Sequence, residues 1–274
     1  MDTAGHKALD ALLARLAKDF GDFPHPAPPL NDTIPKGLAL VHHLLYDLLL
    51  FEASIAQADA AYPKLVAGVV SLNDLRVTTP DEIHALLGDK YPLGLERATR
   101  IRYVLWDIHK RFHAIDLAPV LELPKRDARA LLESLEGVPP FVAHRLALLR
   151  LDIHAFPVDD RLATLLHSNN VIDDAHAPLD KASSFLEHHI RAADATKAHA
   201  LLQAWSDRDG KAPRGDRGLA IRPLFELEQV DHAVAQSART SLKRTNNAKS
   251  KHAPQSQPKP QSQSQSPSRR RPKP

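Results

Sequence analysis

The chain has 274 residues, of which 43% are apolar and 5% aromatic, and it contains no cysteine. This is ample material for a buried core, whereas the lack of cysteine excludes disulfides. No stretch approaches the roughly 18 uninterrupted apolar residues of a membrane span. Charged side chains are scattered through the first ten residues, which argues against a signal peptide. We therefore expect a cytoplasmic protein without a membrane anchor.

The formal net charge of +3 hides an uneven distribution of charge along the chain. Residues 232–274 contain ten lysines and arginines and no acidic residue, which leaves 26 basic and 33 acidic residues in the first 231. The body of the protein is therefore acidic and its C-terminal segment is basic. Proteins that hold nucleic acid usually present a positive face, so these totals argue against strong nucleic-acid binding by the body alone.

Leucine and alanine dominate the apolar residues, which favours helices over strands. An amphipathic helix is predicted over 4–20, where leucines recur on one stripe. The five prolines of 21–36 predict a loop. A long apolar helix is predicted over 38–61, and a short helix over 64–70.

Later helices are indicated by their end signals. Thr79-Pro80-Asp81-Glu82 has the form of a capping box and predicts a helix that ends near Gly88. Further helices are predicted over 95–112, 179–190 and 195–205. A last helix or docking segment is predicted over 218–235.

Residues 241–274 form a segment rich in Gln, Ser, Pro and basic residues, and it contains Arg269-Arg270-Arg271. Such a composition cannot bury enough apolar surface to offset its ordering entropy, so we predict disorder. The basic side chains are typical of a nonspecific nucleic-acid-binding tail. A tail that only keeps the protein soluble is an equally good interpretation.

The most informative stretch is a predicted helical hairpin followed by a third helix. A helix-forming run from Ala130 ends at Gly137, because glycine readily takes the left-handed conformation that terminates helices. Pro139 and Pro140 suit the first turn of the next helix. After the extended segment Phe156-Pro157-Val158, Asp159 is predicted to cap a third helix.

This stretch resembles the helix-hairpin-helix DNA glycosylases of the endonuclease III type. Their hairpin reads Leu-Pro-Gly-Val-Gly-Arg-Lys-Thr-Ala and corresponds to Leu135–Ala143, and their downstream Val-Asp-Thr-His corresponds to Val158-Asp159-Asp160-Arg161. The spacing between Phe141 and Asp159 equals the family's spacing between its lysine and its aspartate. The resemblance covers about residues 38–206.

The resemblance implies an all-α, two-lobed glycosylase fold with a disordered C-terminal tail. The N-terminal helix and Pro-rich loop, residues 1–37, would pack on the C-terminal lobe. Residues 38–240 would form the glycosylase-like body, with the hairpin at about 127–150. The tail would be 241–274. The implied partner is double-stranded DNA with damaged bases, bound by a monomer.

For chemistry, the resemblance implies that Asp159 stabilises positive charge on the sugar or activates a water during base removal. Phe141 replaces the family's Schiff-base lysine, so lyase activity is not expected. Phe141 is expected to be core or, less favoured, a stacking surface for an extruded base. The alternative for Asp159 is a purely structural role as the cap of its helix.

Further departures from the family's pattern concern the hairpin. There the family's backbone N–H groups hold a DNA phosphate, which assigns DNA contact to Gly137, Val138 and Pro139, but the two prolines remove two donors. A monovalent cation at the carbonyls of Glu133, Leu135 and Val138 is a further expectation of the resemblance. No iron–sulfur cluster is expected without cysteine.

Two other groups of residues were weighed. Leu50-Phe51-Glu52-Ala53 matches the family segment whose glutamine enters the DNA stack, so Glu52 is a candidate DNA contact; the favoured alternative is a solvated helix residue. The sixteen histidines include no His-Glu-x-x-His helix, so no structural zinc is predicted.

Two functions thus stay open: a monofunctional DNA N-glycosylase that uses Asp159, aided by Arg269, Arg270 and Arg271, and a catalytically inactive scaffold that binds DNA or a protein partner. Asp159 open to a positively charged cleft would favour the enzyme. Asp159 buried and paired, or an acidic rim, would favour the scaffold.

Overall fold

The structure, a computed structural model, describes residues 3–174 and 178–211. Within these ranges the chain forms α-helices and no strand, so the prediction of an all-α protein is confirmed. The helices are α1 Thr3–Phe20, α2 Lys36–Leu50, α3 Ile55–Ala67, α4 Leu72–Val77, α5 Pro80–Leu87, α6 Gly94–Phe112, α7 Ala118–Leu121, α8 Lys125–Glu133, α9 Pro140–Arg150, α10 Asp160–Ser168, α11 Leu179–His189 and α12 Ala192–Asp209.

Several helix ends form as the sequence predicts. Thr79 caps α5 through its side chain, Glu82 completes the capping box, and Gly88 follows the last helical residue. Asp159 caps α10 as predicted. The hairpin is also present, although its first helix begins and ends earlier than the sequence indicated, at Lys125 and Glu133.

The long helix predicted over 38–61 is wrong, because the chain breaks into α2 and α3 at residues 51–54. Glu52 takes a left-handed conformation with φ of 55°, which interrupts the helical hydrogen bonds. Ser54 is the N-cap of α3 and forms a capping box with Gln57, which starts the new helix. The separate helix predicted over 64–70 is likewise wrong: its first residues are the last turn of α3.

The larger of two apolar cores lies among α2–α9. Its centre is formed by leucines of α2 that are fully enclosed, together with apolar side chains of α3, α5, α6 and α9. Ten of the fifteen residues of α2 are buried, because its apolar residues occupy more than one face of the helix.

The smaller core joins α1 to α10, α11 and α12. Leu9, Leu12 and Leu16 of α1 pack with Leu202 and Trp205 of α12 in this core. The first and last described helices therefore share one apolar cluster, while the middle of the chain builds the other. Between the two cores lie the 51–54 turn, one face of α9 and the start of α10.

In the part of the chain that the structure describes, no helix has the combination of length and apolarity that a bilayer crossing requires. The segment 218–235 and the tail 241–274, including Arg269, Arg270 and Arg271, lie outside the described residues.

Candidate functional site

Asp159 stands where the chain passes from the larger core to the smaller one. The extended residues 156–158 are buried and deliver Asp159 to the N-terminus of α10, where its Oδ1 accepts a hydrogen bond of 2.8 Å from the Leu162 N–H. Only 4% of the residue is exposed. The carboxylate therefore lies at the positive end of a helix, beneath the surface.

The structure brings Glu52 to the same place. Its Oε1 accepts a hydrogen bond of 2.6 Å from the Asp160 N–H, and its carboxyl group lies close enough to Asp159 for the two charges to interact. Glu52 is 3% exposed, so its interpretation as a solvated helix residue is wrong. The cause is the break between α2 and α3, which turns this side chain inward. Its assignment as a DNA contact stays a prediction, which such burial does not favour.

Burial and mutual repulsion dominate the electrostatics of this pair. Desolvation, followed by the nearby Asp159 charge, raises the pKa of Glu52 to about 9. Burial also raises the pKa of Asp159, but the Leu162 N–H and the charge of Arg161 oppose this shift. Glu52 is therefore the member of the pair whose pKa lies well above neutral, which favours its protonated form at neutral pH.

Two buried arginines hold the backbone around Glu52. The Arg97 guanidinium donates to the carbonyls of Leu49, at 3.0 Å, and of Leu48 and Phe51, which satisfies the C-terminal carbonyls of α2. The Arg161 guanidinium donates to the carbonyl of Ala53.

Arg161 also connects this turn to α12, because it donates to the carbonyl of Ser206 at 2.8 Å. The sequence identifies Arg161 only as part of a motif and gives no reason to single out Arg97. The signal available for Arg161 was its place in the first turn of the predicted α10, directly after two aspartates. Arg97 carried no sequence signal, since its acceptors lie far away in the chain.

In the hairpin turn between α8 and α9, several N–H groups are missing or already engaged. Pro139 and Pro140 have none, and the Val138 N–H donates to the carbonyl of Leu135 at 3.2 Å. The Glu136 N–H donates to Asp107 of α6 at 2.9 Å. The Asp107 carboxylate therefore accepts from the Glu136 N–H, which could otherwise bind an anion.

The same turn is fixed to α6 through its carbonyls. Arg111 donates to the carbonyl of Ser134 at 2.7 Å and pairs with Asp107, while Arg100 donates to the carbonyl of Gly137 at 3.3 Å. Gly137 has φ of +83°, and an added Cβ would lie 2.9 Å from the carbonyl oxygen of Arg100. The close packing of the turn on α6 explains why glycine is required here.

These contacts bear on the cation predicted at the carbonyls of Glu133, Leu135 and Val138. The Leu135 carbonyl already accepts a hydrogen bond, and the guanidinium groups of Arg111 and Arg100 bring positive charge to the turn. These three carbonyl groups are therefore poor ligands for a cation, although the site stays a prediction. Among the described residues, no group of three or more His, Asp and Glu could hold a metal ion.

Phe141 lies in the larger core, where it is buried and its ring contacts that of Phe51 with centroids 5.7 Å apart. Its interpretation as a core residue is confirmed. No amine replaces the family's lysine at this position.

The two cores, the hairpin and the capped helix that follows it define the fold of helix-hairpin-helix DNA glycosylases. A structure of a trapped endonuclease III–DNA covalent intermediate, the estranged-adenine complex, superposes with a TM-score of 0.56 at 15% identity, covering 73% of this chain and 85% of that one. A Clostridium acetobutylicum 8-oxoguanine glycosylase/lyase in complex with double-stranded DNA superposes with a TM-score of 0.53 at 17% identity, covering 76% and 70%. No family sequence profile and no curated protein sequence matches the chain.

Proposed function

We propose that this protein is a DNA base-excision enzyme, a monofunctional N-glycosylase that uses Asp159. The observation that carries the proposal is the buried acidic pair of Glu52 and Asp159 at the N-terminus of α10. The structural neighbours named above include complexes with DNA, which supports double-stranded DNA as the substrate.

Cleavage of the bond between a base and its sugar builds positive charge on the sugar ring. A carboxylate held rigidly beside that ring stabilises the charge as it develops, and it can accept a proton from the water that completes the reaction. Asp159 is held in this way by the Leu162 N–H. Because Phe141 offers no amine, the product would be an abasic site in an uncut strand.

The physical cost of the acidic pair supports a functional role. Two adjacent buried carboxyl groups destabilise a fold unless hydrogen bonds or cations compensate them. Buried groups with strongly shifted pKa values also concentrate at active sites. A protein that had lost all chemistry would gain stability by replacing Glu52, whose Oε2 is buried without a hydrogen-bond partner in the described residues.

Access to Asp159 requires a rearrangement. With 4% of the residue exposed, a base can reach Asp159 only if the residues that cover it move.

A second candidate is the inactive scaffold that binds DNA or a protein partner. It is favoured by the burial of Asp159 and by the hairpin, where Asp107 and the prolines leave few N–H groups for a phosphate. The acidic balance of the first 231 residues points the same way. In this case Asp159 would serve only as a helix cap.

The two candidates are separated by an excision assay. Duplexes with oxidised, alkylated, deaminated and mismatched bases would be incubated with the full chain and developed with alkali. The variant Asp159→Asn keeps a capping side chain and should lose excision, while the exposed Asp81→Asn serves as the matched control. A variant with Arg269, Arg270 and Arg271 changed to glutamine tests whether the tail contributes to DNA binding.

Excision by the wild type that disappears in Asp159→Asn supports the enzyme. Absence of excision on every lesion, with DNA binding retained, supports the scaffold. Strand breaks without alkali would contradict a monofunctional mechanism.

A further inference from the structure

The two oxygens of the Glu52 carboxyl group have different environments. Oε1 accepts the Asp160 N–H at 2.6 Å. Oε2 is buried, and no hydrogen-bond partner for it is found among the described residues. Burying a polar atom without a partner is unfavourable. The unpartnered Oε2 therefore suggests that the Glu52 carboxyl group contacts a ligand during function.

The proton of the pair belongs on this orphaned oxygen. Oε1 already accepts a hydrogen bond, so a proton on Glu52 is placed on Oε2, where it has no acceptor within the described residues. Asp159, in contrast, accepts a hydrogen bond from the Leu162 N–H at 2.8 Å, and this bond favours its ionised form. The arrangement thus holds one proton donor and one anion side by side.

We propose that Glu52 is the proton donor for the departing base and that the site therefore acts on neutral base lesions. This inference rests on the proposed N-glycosylase function. It assigns complementary tasks to two carboxyl groups: Glu52 gives a proton to the base, and Asp159 stabilises the positive charge on the sugar.

The chemistry balances as follows. The proton on Glu52 Oε2 passes to a ring nitrogen or carbonyl oxygen of the base, and the bond from the base to C1′ breaks with its electron pair leaving on the base. The base departs neutral instead of as an anion. The positive charge on the sugar is stabilised by Asp159, and a water adds to C1′ and returns a proton to the carboxylate pair.

Purines alkylated at N7 or N3, such as 7-methylguanine, are a different class of substrate. They already carry a positive charge, so they depart neutral without receiving a proton. A proton donor therefore accelerates the excision of neutral lesions and not of cationic ones. This difference distinguishes Glu52 as a proton donor from Glu52 as a residue that merely shapes the site.

The buried arginines explain how Glu52 keeps its orientation. Arg97 binds the carbonyl of Phe51 on one side, and Arg161 binds that of Ala53 on the other. Both guanidinium groups are engaged with backbone carbonyls, and neither has a recorded hydrogen bond to the Glu52 carboxyl group. The turn is thereby fixed while its acid stays without a cationic partner in direct contact.

The test is a single-turnover excision assay with the full chain and the variants Glu52→Gln, Asp159→Asn and, as the matched control, the exposed Glu122→Gln. Substrates are duplexes that carry uracil, hypoxanthine or 8-oxoguanine, and a duplex that carries 7-methylguanine. We expect Glu52→Gln to slow excision of a neutral lesion by roughly 100-fold or more, the usual effect of a general acid, and to slow 7-methylguanine excision far less. Asp159→Asn should impair both classes.

A second measurement does not depend on activity. The carboxyl carbon of Glu52 would be followed by ¹³C NMR in the free full-length protein, with Glu52→Gln used to assign the signal. A titration midpoint near 9, well above neutral pH, supports the proton donor, and a midpoint near the ordinary glutamate value overturns it.

The outcomes separate the two proposals. Equal slowing of neutral and cationic lesions in Glu52→Gln, or no slowing at all, overturns the proton donor while the glycosylase stands. A wild type that excises 7-methylguanine but no neutral lesion likewise overturns the proton donor while the glycosylase stands. A wild type that excises nothing overturns the proposed function and the proton donor with it.

Discussion

Two buried charged clusters lie between the cores, and they differ in how their charges are compensated. In one, Arg145 of α9 pairs with Asp47 of α2, both side chains being 2% exposed, and Arg145 also donates to the carbonyl of Pro26 at 2.6 Å. In the other, Glu52 and Asp159 share one site without a cation that bonds either carboxyl group in the described residues. The first cluster has the form of a structural brace.

This contrast shows which buried charges suggest function. The Asp47–Arg145 pair joins opposite charges and connects α2 to α9, so structure alone explains it, even though the Nε of Arg145 is buried without a hydrogen-bond partner in the described residues. Burial still raises the pKa of Asp47 to about 6, against the opposing charge of Arg145. Neither Glu52 nor Asp159 has a cation bonded to its carboxyl group in the described residues, and the charge of Arg161 opposes their raised pKa values only in part. We infer function from this pair only.

The largest expected effect is the loss of the brace. Replacing Arg145 with Met leaves Asp47 buried without its cation, which should lower the free energy of unfolding by about 3–5 kcal/mol. Urea unfolding at pH 7 would measure this. The control is Lys125→Met, because its ion pair with Asp152 is exposed and should contribute nothing measurable. Similar small changes in both variants would contradict a structural role for the brace.

At the acidic pair, removing a charge should instead raise the free energy of unfolding. Burial raises the pKa of Glu52 to about 9, whereas an unfolded glutamate ionises near 4.5. The unfolded chain therefore releases a proton that the folded protein retains, and stability falls as pH rises from about 4.5 to 9.

Glu52→Gln should remove this loss. Its free energy of unfolding should exceed that of the wild type by on the order of 2–4 kcal/mol at pH 8 and equal it at pH 4. Parallel denaturation curves at the two pH values measure the difference, with Glu122→Gln as control. A variant less stable than the wild type at pH 8 would show that the carboxyl group is compensated after all.

How much of this could be predicted from the sequence depends on the distance between partners along the chain. Asp159 as a helix cap and the hairpin around Gly137 depend on neighbouring residues, and both were predicted. The break at Glu52 was missed because apolar periodicity continues through residues 50–55, and tertiary contacts from Arg97 and Arg161 stabilise the turn. The juxtaposition of Glu52 with Asp160, 108 residues later, leaves no local signal.

A smaller effect tests the hairpin. Gly137→Ala should lower the free energy of unfolding by about 2 kcal/mol, because the left-handed backbone disfavours a side chain and the added Cβ would meet the Arg100 carbonyl. Gly21→Ala is the matched control: its φ is +60° and nothing lies within 4 Å of the added Cβ. The two variants share the backbone strain, so the excess in Gly137→Ala measures the packing of the turn on α6. Equal losses would contradict that packing.

The smallest effect at neutral pH, yet a diagnostic one in acid, concerns histidines beside the brace. His25 and His199 stack with ring centroids 5.6 Å apart, and both nitrogens of His199 are buried without a recorded partner. Burial, followed by the charge of Arg145, lowers the pKa of His25 to about 4 and that of His199 well below its ordinary value.

Below pH 6.5 the unfolded chain therefore binds protons that the folded protein does not, and stability falls as pH drops from 6.5 towards 4. His199→Leu should change the melting temperature little at pH 7 and make the decline between pH 6.5 and 4 shallower, as thermal unfolding across that range would show. An unchanged acid decline would mean that the histidines ionise in the folded protein without penalty. The brace would then tolerate added positive charge, and Asp47 would have to supply the compensation, because it is the acidic partner of Arg145.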